Sequence, residues 1–290
     1  MHNQTGVPPI HHGKLFCSLC IFIGMAMGCE TVPYTDRSQL VVVPQSQAAQ
    51  MGEQAFQQIL SDPEVQQSQS PEEQEAVKRV AERIIQAAKE SKFGEDAKAF
   101  KWEVTVIKDD QTKNAFALPG GKIAVYTGIF SVAKNDAGLA AILGHEVVHA
   151  LARHGSERMS QEVLAQAGLT AAAVGLGVSG ANPLLGQATM AALGLGAKVG
   201  VLLPYSRTHE SEADSIGILL AAKAGYDPQE AVRVWQRMQE GSEGAPSEFL
   251  STHPSHETRI KRLQEEMPEA LKIYQNVEHA PEHQLPTVNP

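Results

Sequence analysis

The 290 residues contain no segment both long and apolar enough to span a bilayer securely, which takes about 20 predominantly apolar residues. Basic residues are outnumbered, 24 Lys and Arg against 33 Asp and Glu, for a formal charge of -9. No basic block or aromatic-interleaved basic patch occurs anywhere, which excludes nucleic acid as a partner. No internal repeat is present, so no helical-repeat module for partner binding is appended. The three cysteines all lie in the first tenth of the chain, at Cys17, Cys20 and Cys29. What remains is long enough to bury a substantial core as one domain.

The start of the chain reads as a targeting segment. Leu15 to Gly28 is a short apolar run behind His11, His12 and Lys14, the pattern of a secretory signal. Ala26-Met27-Gly28-Cys29 resembles a bacterial lipoprotein processing site, although the usual leucine is missing at position 26. Cleavage there removes Cys17 and Cys20 and leaves Cys29 acylated, so no disulfide forms within the chain. An ordinary signal cut nearby, or an uncleaved anchor, is the alternative. The expectation is residues 1–28 as signal, 29–47 as a tether with a short strand at Leu40–Val43, and a lipid anchor in the bacterial periplasm, with Glu30 compatible with outer-membrane sorting.

Helical patterns follow at about 48–60 and 72–91, the second opened by Ser70-Pro71-Glu72-Glu73, a cap, a first-turn proline and first-turn acids. Trp102–Ile107 alternates and is β-branched. Ala115–Leu118 and Lys122–Tyr126 form two further strands joined by the Pro119-Gly120-Gly121 turn. Val163–Leu203 has Lys198 as its one charge; it reads as a buried helical hairpin, or as two small-residue helices over the site or against lipid. A helix over 216–224 ends at Gly225, and Asp227-Pro228-Gln229-Glu230 opens the next. Residues 241–253 form a Gly/Ser/Pro loop, and the tail from 268 to 290 is partly disordered. The fold class is α+β and mainly helical, a small sheet packed beside a central helix.

Chemistry enters at His145-Glu146-Val147-Val148-His149. On a helix of 3.6 residues per turn the two imidazoles lie on one face a turn apart and can reach one metal. Glu146 projects beside them, where it can take a proton from a metal-bound water without being a ligand. The alternative is a buried helix with two satisfied histidines. Positions 152 and 155 hold Ala and Gly where the metzincin pattern wants Gly and His, which removes that subclass. His154 falls roughly half a helical turn off the metal-facing side and reads as solvent-facing or as a histidine at the helix C-terminus. Some sixty residues on, Ser206 caps a helix through Arg207-Thr208-His209-Glu210-Ser211-Glu212-Ala213-Asp214. Glu210 and Asp214 share a face, so Glu210 can bind the metal while Asp214 bonds the outer nitrogen of a ligating histidine. A solvated acidic face is the alternative.

These motifs, with Asn114–Gly121 before them and Thr252-His253-Pro254-Ser255 after, resemble the zinc peptidases related to HtpX and the CAAX prenyl proteases, over about residues 50–266. The resemblance implies a gluzincin-type metallopeptidase domain at 48–267, one zinc per chain on His145, His149 and Glu210, Glu146 as general base and Asp214 behind a ligand. It also implies roles for His253 and Arg259 near the oxyanion. Because imidazole is a good zinc ligand and His253 ends a loop just before Pro254, His253 can alternatively act as a latch on the metal. An edge strand at Asn114-Ala115 would pair with an extended polypeptide substrate; from the residues alone that hairpin is as readily plain core. The missing spanning helices point to a soluble, lipid-anchored branch. The expected function is endopeptidase action on misfolded or unassembled envelope proteins, the alternatives a chaperone-like or scaffold lipoprotein with weak cleavage and a hydrolase of non-peptide substrates.

Overall fold

A computed structural model describes residues 29–175, 206–240, 253 and 257–288. The signal reading at 1–28, Val163–Leu203 past residue 175, and the 241–253 loop apart from His253 lie outside the described residues.

The first described residues form a two-stranded ribbon, β1 (Cys29–Thr31) antiparallel to β2 (Ser38–Leu40). Then come α1 (Gln45–Leu60), α2 (Pro71–Lys89) and the short α3 (Gly94–Ala99). The Ser70 side chain accepts from the Glu73 amide at the start of α2, with Pro71 at the first helical position, as the sequence predicts. Three strands follow: β3 (Glu103–Ile107), β4 (Ala115–Leu118) and β5 (Lys122–Tyr126). Their order is β3-β5-β4, with β3 parallel and β4 antiparallel to the central β5. Gly120 and Gly121 turn the β4–β5 hairpin at φ +87° and +90°, where a side chain would be strained.

After α4 (Phe130–Ala133), helix α5 (Asp136–Leu151) carries both predicted histidines, capped by the Asn135 side chain on the Gly138 amide. Every residue of α5 except Ala141 is buried, so this helix is apolar all round and forms the axis of the core. Around it lie α2, α7 (Arg207–Lys223) and α8 (Gln229–Glu240), with α9 (Glu257–Tyr274) packed on α7 and α8. A second apolar cluster, including Phe56, Ile59, Phe116, Leu118 and Met159, joins α1 to the other face of the sheet. Helix α6 (His154–Gly175) starts directly after α5. Among the described residues no helix is long and apolar enough to cross a membrane.

Two described segments, residues 29–47 and 268–288, differ from the expectation. Residues 29–47 are folded onto the domain: Val32 is fully buried, Arg153 holds Glu30 at 2.7 Å, and Arg37 is bound by acids of α6 and α7. The strand falls at 38–40, starting two residues before the expected 40–43. The 268–290 tail is likewise ordered over its described length. Helix α9 runs through Pro268 to Tyr274, and residues beyond it strap the start of α5. Leu285 donates its amide to the Lys134 carbonyl, Asp136 to that of His283, and Leu285 and Val288 are buried. Composition marked both segments as polar; a few apolar anchors and backbone pairings outweigh that.

Candidate metal centre and active site

Two helices meet to build the site, and they meet without side chains between them. Gly144 of α5 faces Gly217 of α7 so closely that a Cβ on Gly217 would lie 2.8 Å from the His145 nitrogen, and one on Gly144 2.7 Å from the Gly217 carbonyl oxygen. This contact brings Glu210 and Asp214, about two turns and one turn earlier on α7, against His145 and His149. Nothing local in the sequence marks either glycine; only the crossing does.

His145, Glu146, His149, Glu210 and Asp214 are all buried. The Nε2 atoms of His145 and His149 stand 3.0 Å apart, and Glu210 presents its oxygens 3.5 Å and 3.4 Å from them. His253 joins the cluster with Nδ1 3.2 Å from His145 Nε2 and 3.0 Å from Glu210 Oε1. One donor atom from each of these four residues falls within 4.8 Å of the others, the described group able to hold a metal ion. Imidazole nitrogens and a carboxylate turned toward one point suit a cation, and the His/His/Glu donor set suits zinc.

The support is as specific. Asp214 Oδ1 lies 3.0 Å from His145 Nδ1, the outer nitrogen of that ring. Arg259 donates to Asp214 through Nη2 at 2.6 Å, forms ion pairs with Asp214 through Nε and with Glu210 Oε2 at 3.1 Å, and lies 3.3 Å over the Trp235 ring. Arg259 is therefore engaged with the two carboxylates and an aromatic face, a bracing position that the oxyanion expectation did not include. Burial works against the Glu210 charge, but His253, His145 and His149 outweigh it and hold the carboxyl well below the usual range. At Glu146 burial, reinforced by the Glu210 charge, lifts the carboxyl to about 7 against the pull of His253. Its Oε1 is buried without a hydrogen bond and stands 3.5 Å from His253 Nε2.

Strand β4 lies alongside. Tyr126 donates to the Asn114 carbonyl, so position 114 faces β5, and by alternation Ala115 and Ala117 turn their backbone groups to the open edge. Ala117 donates its amide to Glu146, and the Ala115 amide is taken by Asn114 Oδ1 at 2.9 Å. The predicted Asn114-Ala115 strand thus lies at the site, with Ala115 and Ala117 as its outward pair. Cys29 is exposed in β1.

His154 departs most from expectation. It is fully buried, with Nδ1 2.9 Å from His149 Nδ1 and Nε2 3.3 Å from Glu212, and burial lowers its pKa to about 4. Helix α5 ends at Leu151 and Arg153 adopts φ +59°, so the chain turns before His154 and a continuous-helix angle does not apply. Glu212, to which the sequence assigned no role, is buried and bound by Thr35 and Arg37.

The sequence of this chain matches the model of peptidase family M48 over residues 71–267. It is 41% identical over 196 residues to the mitochondrial metalloendopeptidase OMA1 of Schizosaccharomyces pombe, covering 67% of this chain and 53% of that protein. To the mitochondrial metalloendopeptidase OMA1 of Saccharomyces cerevisiae it is 30% identical over 276 residues, 89% of this chain and 74% of that one. The β-barrel assembly-enhancing protease of Yersinia pestis is 31% identical over 158 residues, 53% of this chain and 32% of its own length. The chain thus spans about half of the fission-yeast relative it matches. Mitochondrial relatives from fungi, plants and animals overturn the expected bacterial periplasmic, outer-membrane location. With 71–267 enclosing α5, α7 and His253, and so every donor in the cluster, the chain belongs to peptidase family M48.

Proposed function

We propose that this chain is a zinc-dependent endopeptidase that cleaves extended, unfolded or unassembled polypeptides. The observation that carries the reading is the convergence of His145, His149 and Glu210 around one point, with the buried Glu146 carboxyl and the open edge of β4 beside it. His145, His149 and Glu210 would hold one zinc, and Asp214 would fix the His145 ring through its outer nitrogen. Zinc, when bound, supplies a Lewis acid that polarises the scissile carbonyl and makes an attacking water acidic. Glu146 takes the proton from that water as its oxygen bonds to the carbonyl carbon. As the C–N bond breaks, the same carboxyl hands the proton to the leaving amine. The outward carbonyls of Ala115 and Ala117, whose amides are held by Asn114 and Glu146, would accept from the main chain of a substrate, which requires an extended segment more than any one side chain. A preference for unassembled chains is supported by that main-chain mode and by relatives named for enhancing β-barrel assembly.

The test is digestion of unfolded casein by the purified chain, abolished by a chelator and restored by zinc, set beside Glu146→Gln. That variant should lose activity about 100- to 10,000-fold while keeping zinc and fold, since the residue moves a proton and binds no metal. Undiminished cleavage by folded Glu146→Gln would refute the assignment.

A further inference from the structure

We infer that His154 is a positioning residue for the metal ligand His149, and that through it the N-terminal ribbon, outside the family-matched region, grips the metal centre. The inference rests on the reading of His149 as a ligand. A ring that gives its Nε2 lone pair to a metal carries its proton on Nδ1. His149 Nε2 faces the donor cluster, so its Nδ1–H is aimed at His154 Nδ1, 2.9 Å away. His154 must then accept at Nδ1, which places its own proton on Nε2. That nitrogen faces Glu212 Oε2 at 3.3 Å. Each proton position follows from the one before, and the sequence ends on a carboxylate that needs no proton.

Glu212 is in turn held from the N-terminal side. It accepts from the Thr35 hydroxyl and from Arg37 Nε at 2.6 Å. Arg37 also bonds Glu157 at 3.0 Å, and Glu157 accepts from His209 Nε2 at 3.0 Å. The His209 ring stacks on His154 with centroids 4.5 Å apart and planes 14° from parallel. His154 is thus clamped on its face, at Nδ1 and at Nε2, all in buried surroundings. The reverse tautomer would put a proton on His149 Nε2, pointed into the donor cluster, where it would block coordination. The network therefore selects the form of His149 that can bind metal. His145 receives the same service directly from a carboxylate, Asp214; His149 receives it through an intervening imidazole. Thr35 and Arg37 precede residues 71–267, so the ribbon they belong to is part of the metal site although the family model does not include it.

Competitive chelator titration of the full chain with zinc, together with nitrogen-15 NMR of its imidazole rings, tests this. His154→Phe removes the acceptor while keeping bulk and should weaken zinc binding about 10- to 100-fold. His154→Asn, whose Oδ1 can stand where Nδ1 stood, should recover most of that loss, which a purely space-filling role would not. The parent zinc form should show the His149 proton on Nδ1 and the His154 proton on Nε2. Parental zinc affinity in His154→Phe, or a His154 proton on Nδ1 in the parent spectrum, would overturn the inference; if His154→Phe does not fold, the parent spectrum decides. A parent chain that binds no zinc would sink the metal reading as well, whereas unchanged affinity in His154→Phe sinks only this one.

Discussion

Replacing Gly217 by alanine should damage the metal site more than the fold. The added methyl would sit 2.8 Å from the His145 nitrogen and 3.0 Å from the His145 Cα, where ordinary contact begins at 3.4 Å. Both neighbours are backbone on a buried helix, so α5 and α7 must separate by about 0.6 Å, taking 2.8 Å to 3.4 Å. Metal–ligand distances tolerate only about 0.2 Å. Glu210 and Asp214 ride on α7 while His145 and His149 ride on α5, so the separation falls directly across the donor set. Overpacking of this kind costs about 1–3 kcal/mol. Alanine returns about 1 kcal/mol of helix propensity, so metal-free stability should drop by only about 0–2 kcal/mol. Zinc affinity should fall about tenfold or more, equivalent to ~1.4 kcal/mol. Urea unfolding of the metal-free protein and chelator competition separate the two quantities. Gly155→Ala is the control, because its Cβ would meet nothing nearer than 3.6 Å and should leave zinc affinity intact. Parental affinity in Gly217→Ala would show that the helix contact does not set the site geometry.

Other substitutions probe individual roles. Glu210→Ala should lose both zinc and activity, while Glu212→Ala should keep some zinc at reduced affinity and lower the unfolding temperature, given its buried partners; metal analysis and thermal melts distinguish them, and full zinc in Glu210→Ala would mean the wrong carboxylate. His253, with Nδ1 inside the donor cluster, should act as a latch on the position a water needs, so His253→Ala should raise basal casein cleavage; a fall of about 100-fold would instead mark an oxyanion donor. Glu157 is held at about 2: burial opposes its charge, but His209 and Arg37 outweigh it. Since the folded pKa lies below the ordinary 4.5, its contribution is complete above that pH and fades as the pH falls toward 2. Urea midpoints should therefore decline more steeply with acid in the parent than in Glu157→Gln, and parallel curves would contradict the assignment.

Much of this arrangement was legible because it is local. Ser70-Pro71, the Gly120-Gly121 turn, Gly225 at φ +85° and the strands at 115–118 and 122–126 each depend on neighbours within a few residues. The His145/His149 face depends only on helical period. What escaped depends on distance or on a break. His154 was misplaced because a helical angle was carried across Arg153, where the helix stops. Glu212 drew no role because its cation, Arg37, is 175 residues away. The Gly144–Gly217 crossing and the anchoring of residues 29–47 and 283–288 involve partners that no window of sequence contains.

The spread of the site along the chain also sets when it can exist. His145 and His149 leave the ribosome before Glu210, and His253 and the bracing Arg259 come last, 110 residues after His149. At synthesis rates of about 5–20 residues per second, roughly 5–20 s separate the first donors from the last support. Through that interval the growing chain carries two histidines without their carboxylate and then a carboxylate without its arginine. A site divided in this way matures only after Arg259 has been made, so the preceding stretch of nascent chain is shielded from an unfinished metal centre.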